Sequence, residues 1–209
     1  MIARRDFLLA LGLTPIVSNS FGENTQIGPA GPNYIPRKAW VDSPVHIPQD
    51  CPNFCWAASI AMIFAKHGHP IAQEDIVAQT FGGLVCKGAP NTLTIANDLS
   101  QSWVDKNGVP FTSTVTAAYD PTNHIVAIDN DVVIEELSNN RPLLICNTHH
   151  AMVLTVVDYL ETPMGNSVKA GAVLDPWPLS PKWHYLDPVE FTPIHLGGQM
   201  MFLATVDVS

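Results

Sequence analysis

Cysteine and histidine are the side chains of this 209-residue chain best suited to chemistry at neutral pH, and it has four cysteines and eight histidines. Cys55 begins the stretch CWAASIAMIFAKH, in which apolar residues recur at helical spacing. The unpaired N–H groups and the dipole at a helix N-terminus favour negative charge, so they lower the pKa of a thiol placed there. Because the thiolate is the reactive form, Cys55 is the candidate nucleophile, whereas Cys146 lies inside a strand pattern, where a structural cysteine is expected.

A nucleophilic thiol needs a base, and His150 is the candidate. It begins the β-branched run HAMVLTVV, which predicts an imidazole at the start of a strand. The preceding residue, His149, faces the other way if both lie in the strand, because side chains alternate. We therefore prefer His150 to His149 as the base.

A metal cluster of Cys146, His149 and His150 is an alternative for these side chains. No carboxylate or fourth ligand lies close to them in the sequence, and the four cysteines lack the paired CxxC spacing of structural zinc sites. We expect neither a metal nor a cofactor.

The residue that would orient the base is Asp175, in the stretch AVLDPWP that follows the His150 strand. A strand end followed by a proline turn is the structural alternative for Asp175. The chain order nucleophile, base and acid favours the catalytic interpretation.

The stretch QDCPNFCWAAS, residues 49–59, resembles the segment around the nucleophile of papain-like cysteine peptidases. These enzymes carry a C-G-[SA]-C-[WY] pattern, in which the second cysteine is the nucleophile. Cys55 and Trp56 match its last two positions, and Gln49 lies six residues before Cys55. The resemblance implies that the Gln49 amide and the backbone N–H of Cys55 form the oxyanion hole.

The later elements also resemble this family, in particular its small bacterial members. The run that starts with His150 and Ala151 is similar to the family's histidine strand, and Asp175 with Pro176 is similar to the Asp-Pro pattern that follows it. Papain has Asn in place of this Asp, with a tryptophan that shields it, as Trp177 would here.

The resemblance implies an exported cysteine peptidase that acts on a peptide or protein substrate by a Cys-His-Asp mechanism. The same constellation serves other thiol acyl transfers, such as those of an amidase, a deamidase or a transglutaminase-like enzyme. A catalytically inactive binding module is a further alternative.

The resemblance also bears on Cys51, which lies close to the position of a bridging cysteine in papain-like enzymes. Cys51 is four residues before Cys55, whereas the papain cysteine is three before the nucleophile. Cys86 follows 35 residues later in a loop, so it is the candidate partner. Two free thiols are the alternative.

The elements that position these residues follow from hydrophobic periodicity. We predict helices over residues 55–67, 71–81, 92–106 and 130–137. We predict extended structure over residues 109–119, 142–147, 150–160, 168–174 and 199–208. Helices first and a mostly antiparallel sheet second indicate an α+β fold, and we expect the papain-like arrangement of two lobes, a helical lobe with the nucleophile helix and a sheet lobe.

The first 20 residues read as an export signal. Arg4 and Arg5 precede the short apolar run FLLALGLTPIV, which is below the roughly 20 residues that span a bilayer. The run RRDFL resembles a twin-arginine signal; a general secretory signal and a buried N-terminal helix are the alternatives. Residues 21–44 are rich in Gly, Pro and Asn and read as a linker, which leaves residues 45–209 as the hydrolase domain.

Composition limits the classes of partner. The chain is 46% hydrophobic, which is normal for a globular domain, and it has a net charge of −9 without any Lys/Arg run. We therefore expect no nucleic-acid partner and no membrane partner after signal removal. Composition carries no signal for an oligomeric state.

Overall fold

An antiparallel sheet with helices on both faces organises the part of the chain that the structure describes. The computed structural model describes residues 34–209, so the predicted signal segment 1–20 and residues 21–33 of the predicted linker lie outside it. The strands are β1 Ile35–Trp40, β2 Ser102–Val104, β3 Pro110–Asp120, β4 Ile125–Val126, β5 Leu143–Cys146, β6 Ala151–Thr162, β7 Gly165–Leu174, β8 Trp183–Tyr185 and β9 Phe202–Val208. Their order is β2-β3-β9-β5-β6-β7-β8, with β4 on β3 and β1 on β6.

The long strand β6 pairs with three other strands of the sheet. One edge pairs with β7, and the other edge pairs first with β5 and then with β1. Val153 packs into the core on one face of the sheet, and Met152 and Leu154 pack into the core on the other. Because both faces are covered, β6 begins as a nearly continuous apolar run rather than an alternating one.

The helices are α1 Cys55–Lys66, α2 Gln73–Phe81, α3 Thr92–Asp98, α4 Asn130–Ser138 and α5 Pro188–Phe191. The first three share one core with one face of the sheet, and α4 packs on the opposite face. Nine successive residues of α1 are buried, because this apolar helix lies between the sheet and α2. Within residues 34–209, every helix lacks the length and apolar character needed to cross a membrane.

This architecture confirms the α+β class and most of the predicted elements. The helix predicted over residues 92–106 is wrong in its second half, because α3 ends at Asp98 and β2 follows. Trp103 pairs with Phe111 across β2 and β3, and its indole N–H donates to the Asp98 carbonyl at 3.1 Å. Pairing with the sheet therefore overrides the local helical periodicity.

The predicted linker over residues 21–44 also needs correction in its last part. Strand β1 occupies Ile35–Trp40, and Ala39 of this strand is buried in the core beneath α4. The strand contains Pro36, but among residues 34–209 it pairs with β6 alone, so one of its edges has no partner strand there and tolerates proline. The folded domain therefore includes residues before position 45.

A disulfide joins Cys51, in the loop before α1, to Cys86, in the loop after α2. The two Cα atoms lie 6.0 Å apart, within the range that a disulfide spans. Cys55 and Cys146 are free thiols. The bond thus fixes the loop immediately before the candidate nucleophile to a second loop on the same side of the sheet.

We expect the double variant Cys51→Ser/Cys86→Ser to lose about 3–4 kcal/mol of unfolding free energy, because the bond closes a loop of 35 residues in the unfolded chain. Urea denaturation without reductant measures the loss. Reductant should lower the stability of the natural chain by a similar amount and leave that of the double variant unchanged. Equal stability of the oxidised chain and the double variant would contradict a stabilising role for the bond.

Candidate active site

Cys55, His150 and Asp175 meet where the start of α1 faces one edge of the sheet. Strands β6 and β7 are antiparallel, so the residue before β6 and the residue after β7 lie at the same end of the strand pair. His150 Nε2 lies 2.6 Å from Asp175 Oδ1. The imidazole also lowers the pKa of the Cys55 thiol, and because Nε2 is engaged with Asp175, Nδ1 is the ring nitrogen left for the sulfur.

The electrostatics of the three groups favour a thiolate beside an imidazolium. Burial would raise the pKa of Cys55, yet the hydrogen bond from His150, with backbone N–H groups of Ala151 and Trp56, brings that pKa below its ordinary value. Burial likewise opposes the charge on His150, but Asp175 and Cys55 raise the pKa of His150 to about 9. Both shifts favour the ion pair of thiolate and imidazolium over the neutral pair.

A turn built around Asn147 holds the candidate base in place. The buried Asn147 Oδ1 accepts hydrogen bonds from the backbone N–H groups of His149 at 2.9 Å and His150 at 2.8 Å. The backbone N–H of Asn147 donates to the backbone carbonyl of His150 at 3.0 Å. Sequence reasoning missed Asn147, although an asparagine directly after a strand is a turn signal.

His149 takes a different position from its neighbour. Its side chain is exposed and lines a pocket beside Cys55, whereas the imidazole of His150 contacts Asp175. Cys146, the third member of the alternative metal cluster, is buried in the core, and burial raises the pKa of its thiol strongly. Within residues 34–209, no group of three or more His, Cys, Asp or Glu side chains is placed to hold a metal ion.

Asp175 is buried and held by several donors. Burial would raise the pKa of its carboxyl, but hydrogen bonds from His150, the Trp177 N–H and the Ser180 side chain lower that pKa below its ordinary range. The Trp177 N–H lies 2.8 Å from Oδ1. His46 Nε2 donates to the Asp175 backbone carbonyl at 2.8 Å, a contact that the sequence did not predict. The carboxylate is thus kept charged and oriented toward His150.

Gln49 lies beside the turn that follows Asp175. Its side chain has no hydrogen bond to the side chains of Cys55, His150 or Asp175. Its backbone N–H donates to the Pro176 carbonyl at 2.8 Å, and its side-chain Nε2 donates to the Cys51 carbonyl at 2.8 Å. Its Oε1 is buried and has no hydrogen-bond partner within residues 34–209. The amide NH₂ carries a second hydrogen beyond the one directed at Cys51.

The side chain of Gln73 fixes the loop that contains Gln49. Gln73 is buried at the start of α2, and its Nε2 donates to the Pro48 carbonyl at 3.1 Å and to Asp50 Oδ2 at 2.6 Å. Its Oε1 accepts from the Asp50 N–H at 3.1 Å. Sequence reasoning missed Gln73, because helical periodicity does not show which loop a polar side chain reaches.

Two depressions flank the candidate residues. The Met201 pocket, of about 260 Å³, is lined by Cys55, His149, His150, Ile95 and Met201 among others, with no carboxylate, lysine or arginine among its lining residues. The Trp177 groove, of about 250 Å³, is lined by residues 49–52 and 177–179. An extended ligand therefore has two recessed surfaces, one that includes Cys55 and one that includes Gln49.

No protein-family model matches the chain, and no curated protein matches it.

We predict that at pH 6 iodoacetamide alkylates Cys55 faster than an ordinary thiol, which is under about 1% ionised at that pH, because the pKa of Cys55 is lowered. The variant His150→Ala should need a higher pH for the same rate, because burial then acts on the thiol without the opposing imidazole. His149→Ala is the matched control and should follow the natural chain. Mass spectrometry of the Cys55 peptide measures the alkylation rates. If only His149→Ala needed a higher pH for the same rate, His149 would be the base.

We predict that Asp175→Asn lowers the pKa of His150 from about 9 by about 1–2 units, because the neutral amide no longer stabilises the imidazolium. The imidazolium of the natural chain is lost as pH rises through about 9, and in the variant this loss occurs at lower pH. NMR titration of the His150 ring protons measures the shift. Asp158→Asn is the control and should leave the His150 titration unchanged.

Proposed function

We propose that this chain is a papain-like cysteine peptidase that hydrolyses peptide bonds. The observation that carries the proposal is that the Cys55 thiol lies with the His150 imidazole that lowers its pKa, and that this imidazole is 2.6 Å from the buried Asp175 carboxylate. The thiol is at a helix start, its pKa is lowered, and its base is oriented by a third group. This combination activates a nucleophile for acyl transfer.

In the proposed mechanism the Cys55 thiolate attacks the carbonyl carbon of the scissile peptide bond. The carbonyl oxygen becomes an oxyanion, and its collapse breaks the C–N bond while the His150 imidazolium donates its proton to the leaving amine. A thioester to Cys55 remains. His150, now neutral, removes a proton from water, which attacks the thioester, and the acid product leaves as the thiolate and imidazolium re-form.

The oxyanion requires hydrogen-bond donors, and two are available in the proposal. The Cys55 N–H belongs to the first turn of α1, where backbone N–H groups lack partners within the helix. Gln49 supplies the second amide hydrogen of its side chain from a loop that is tied to Pro176, Gln73 and Cys86. A donor held in advance of the reaction is worth about 10²–10³ in kcat.

We also infer the two-lobe arrangement of papain-like enzymes. Helices α1–α3 would form one lobe and the antiparallel sheet the other, with the catalytic residues at their junction. The position of Cys55 at the start of α1, opposite His150 at the start of β6, supports this inference. Helix α4 adds a further layer on the far face of the sheet.

We place the enzyme outside the cytosol. The N-terminal signal pattern motivates this proposal, and the Cys51–Cys86 disulfide supports it, because such bonds persist in oxidising compartments. Removal of the signal would leave the disulfide and all four proposed catalytic residues in the mature enzyme.

Assay of the purified protein on a peptide library, with an epoxide thiol inhibitor as a label, tests the proposed activity. We expect Cys55→Ala to lose all hydrolysis and labelling while its circular dichroism spectrum is unchanged. Gln49→Ala should retain alkylation by iodoacetamide, which forms no oxyanion, but lose about 10²–10³ in kcat. A chain that labels at Cys55 yet cleaves no peptide would favour another thiol acyl transfer, and labelling of Cys55→Ala would refute the nucleophile.

A further inference from the structure

The Trp177 groove has a distinctive chemical lining. Its walls are residues 49–52 and residues 177–179, and Asp50 is the one charged side chain among them. The opposite wall is apolar: Trp177 is half-buried, and Leu179 is 87% exposed. The groove is lined by Gln49, the proposed oxyanion donor, and by the turn after Asp175, so it lies beside two of the proposed catalytic residues.

The Asp50 carboxylate is held in a fixed position although it is exposed. Its Oδ2 accepts from Gln73 Nε2 at 2.6 Å, and its backbone N–H donates to Gln73 Oε1 at 3.1 Å. Gln73 is itself buried, so these two bonds anchor the loop to α2. The second oxygen, Oδ1, is not used by Gln73. An exposed carboxylate that is already ordered loses little conformational entropy when a ligand binds.

A carboxylate facing an aromatic ring and apolar side chains suits a long cationic side chain. The methylene stem of lysine or arginine covers apolar surface while its charged end reaches the carboxylate. Tryptophan is also the best aromatic partner for a cation. The groove volume of about 250 Å³ corresponds to about eight water molecules at about 30 Å³ each, which suits one such side chain. The net charge of −9 attracts cationic substrates to the molecule as a whole.

We propose that the Trp177 groove is a substrate subsite that binds a lysine or arginine side chain close to the scissile bond, with Asp50 as its counter-charge. The proposal rests on the proposed peptidase function, since it assigns the substrate of that same site. The Met201 pocket has no carboxylate among its lining residues, so it exerts no such selection. The enzyme therefore cleaves peptides that carry a positive charge on one side of the thiol.

Peptides in which lysine replaces norleucine, one position at a time on both sides of the scissile bond, test the proposal. Lysine at one position should raise kcat/KM by about 5- to 10-fold, the range expected for one partly exposed ion pair with an aromatic contact. The preference should shrink in 0.5 M NaCl, because salt screens exposed charges. Equal rates for lysine and norleucine at every position would overturn the proposal.

Variants of Asp50 assign the preference to this residue. Asp50→Asn should abolish the lysine preference, since an Asn oxygen still accepts from Gln73 but carries no charge, and Asp50→Lys should favour glutamate over lysine. Asp75→Asn, an equal charge change at an exposed site on α2 outside the groove, should keep the preference. A preference that survives in Asp50→Asn refutes the assignment.

Equilibrium binding to the Cys55→Ala protein repeats the comparison without turnover. Tighter binding of the lysine peptide, lost in the Cys55→Ala/Asp50→Asn protein, supports the subsite even if the natural chain cleaves nothing, in which case the peptidase proposal alone fails. Cleavage by the natural chain together with equal binding of both peptides overturns the subsite and leaves the peptidase proposal standing.

Discussion

The antiparallel pairing of β6 with β7 is the constraint on which the candidate site depends. The register that places Val153 opposite Leu174 brings the residue before β6 and the residue after β7 to the same end of these two strands. His150 and Asp175 are 25 positions apart in the chain, yet their side chains meet at 2.6 Å because of this pairing. A register shift of one residue would turn the side chains of either strand to the opposite face and separate the pair. The apolar cores on both faces of β6 oppose such a shift.

The loop before α1 depends on contacts from three other parts of the molecule. Gln73 anchors it to α2, the disulfide anchors it to the loop of Cys86, and the Gln49 N–H anchors it to the turn after Asp175. The loop has no regular secondary structure of its own, so its geometry depends on these tertiary contacts. Stability of the fold and alignment of the proposed oxyanion hole are therefore properties of the same set of bonds.

Sequence reasoning predicted the long elements because their periodicity is strong, as for α1 with its unbroken apolar run and for β6 with its β-branched residues. It also selected Cys55, His150 and Asp175, which the structure brings together; their catalytic roles stay a prediction. It missed β1, β8 and α5, which are short or rich in proline and aromatic residues, and it extended α3 into β2, where sheet pairing prevails. Asn147 carries a local turn signal that sequence reasoning missed. Gln73 and His46 could not be predicted, because each acts through a hydrogen bond to a backbone group that only the tertiary fold brings near.

The disulfide involves Cys51, which is only four residues before Cys55, and this makes the timing of oxidation critical for the proposed enzyme. In an unfolded chain Cys55 competes with Cys51 for Cys86, and every pairing that includes Cys55 consumes the nucleophile. Once α1 and β6 have formed, the Cys55 thiol is engaged by His150, while the Cα atoms of Cys51 and Cys86 are 6.0 Å apart. Folding before oxidation thus directs the bond to the pair that preserves activity. A route that delivers an already folded chain to the oxidising compartment would avoid disulfide scrambling, whereas a chain threaded unfolded into that compartment would need an isomerase to recover its free thiol.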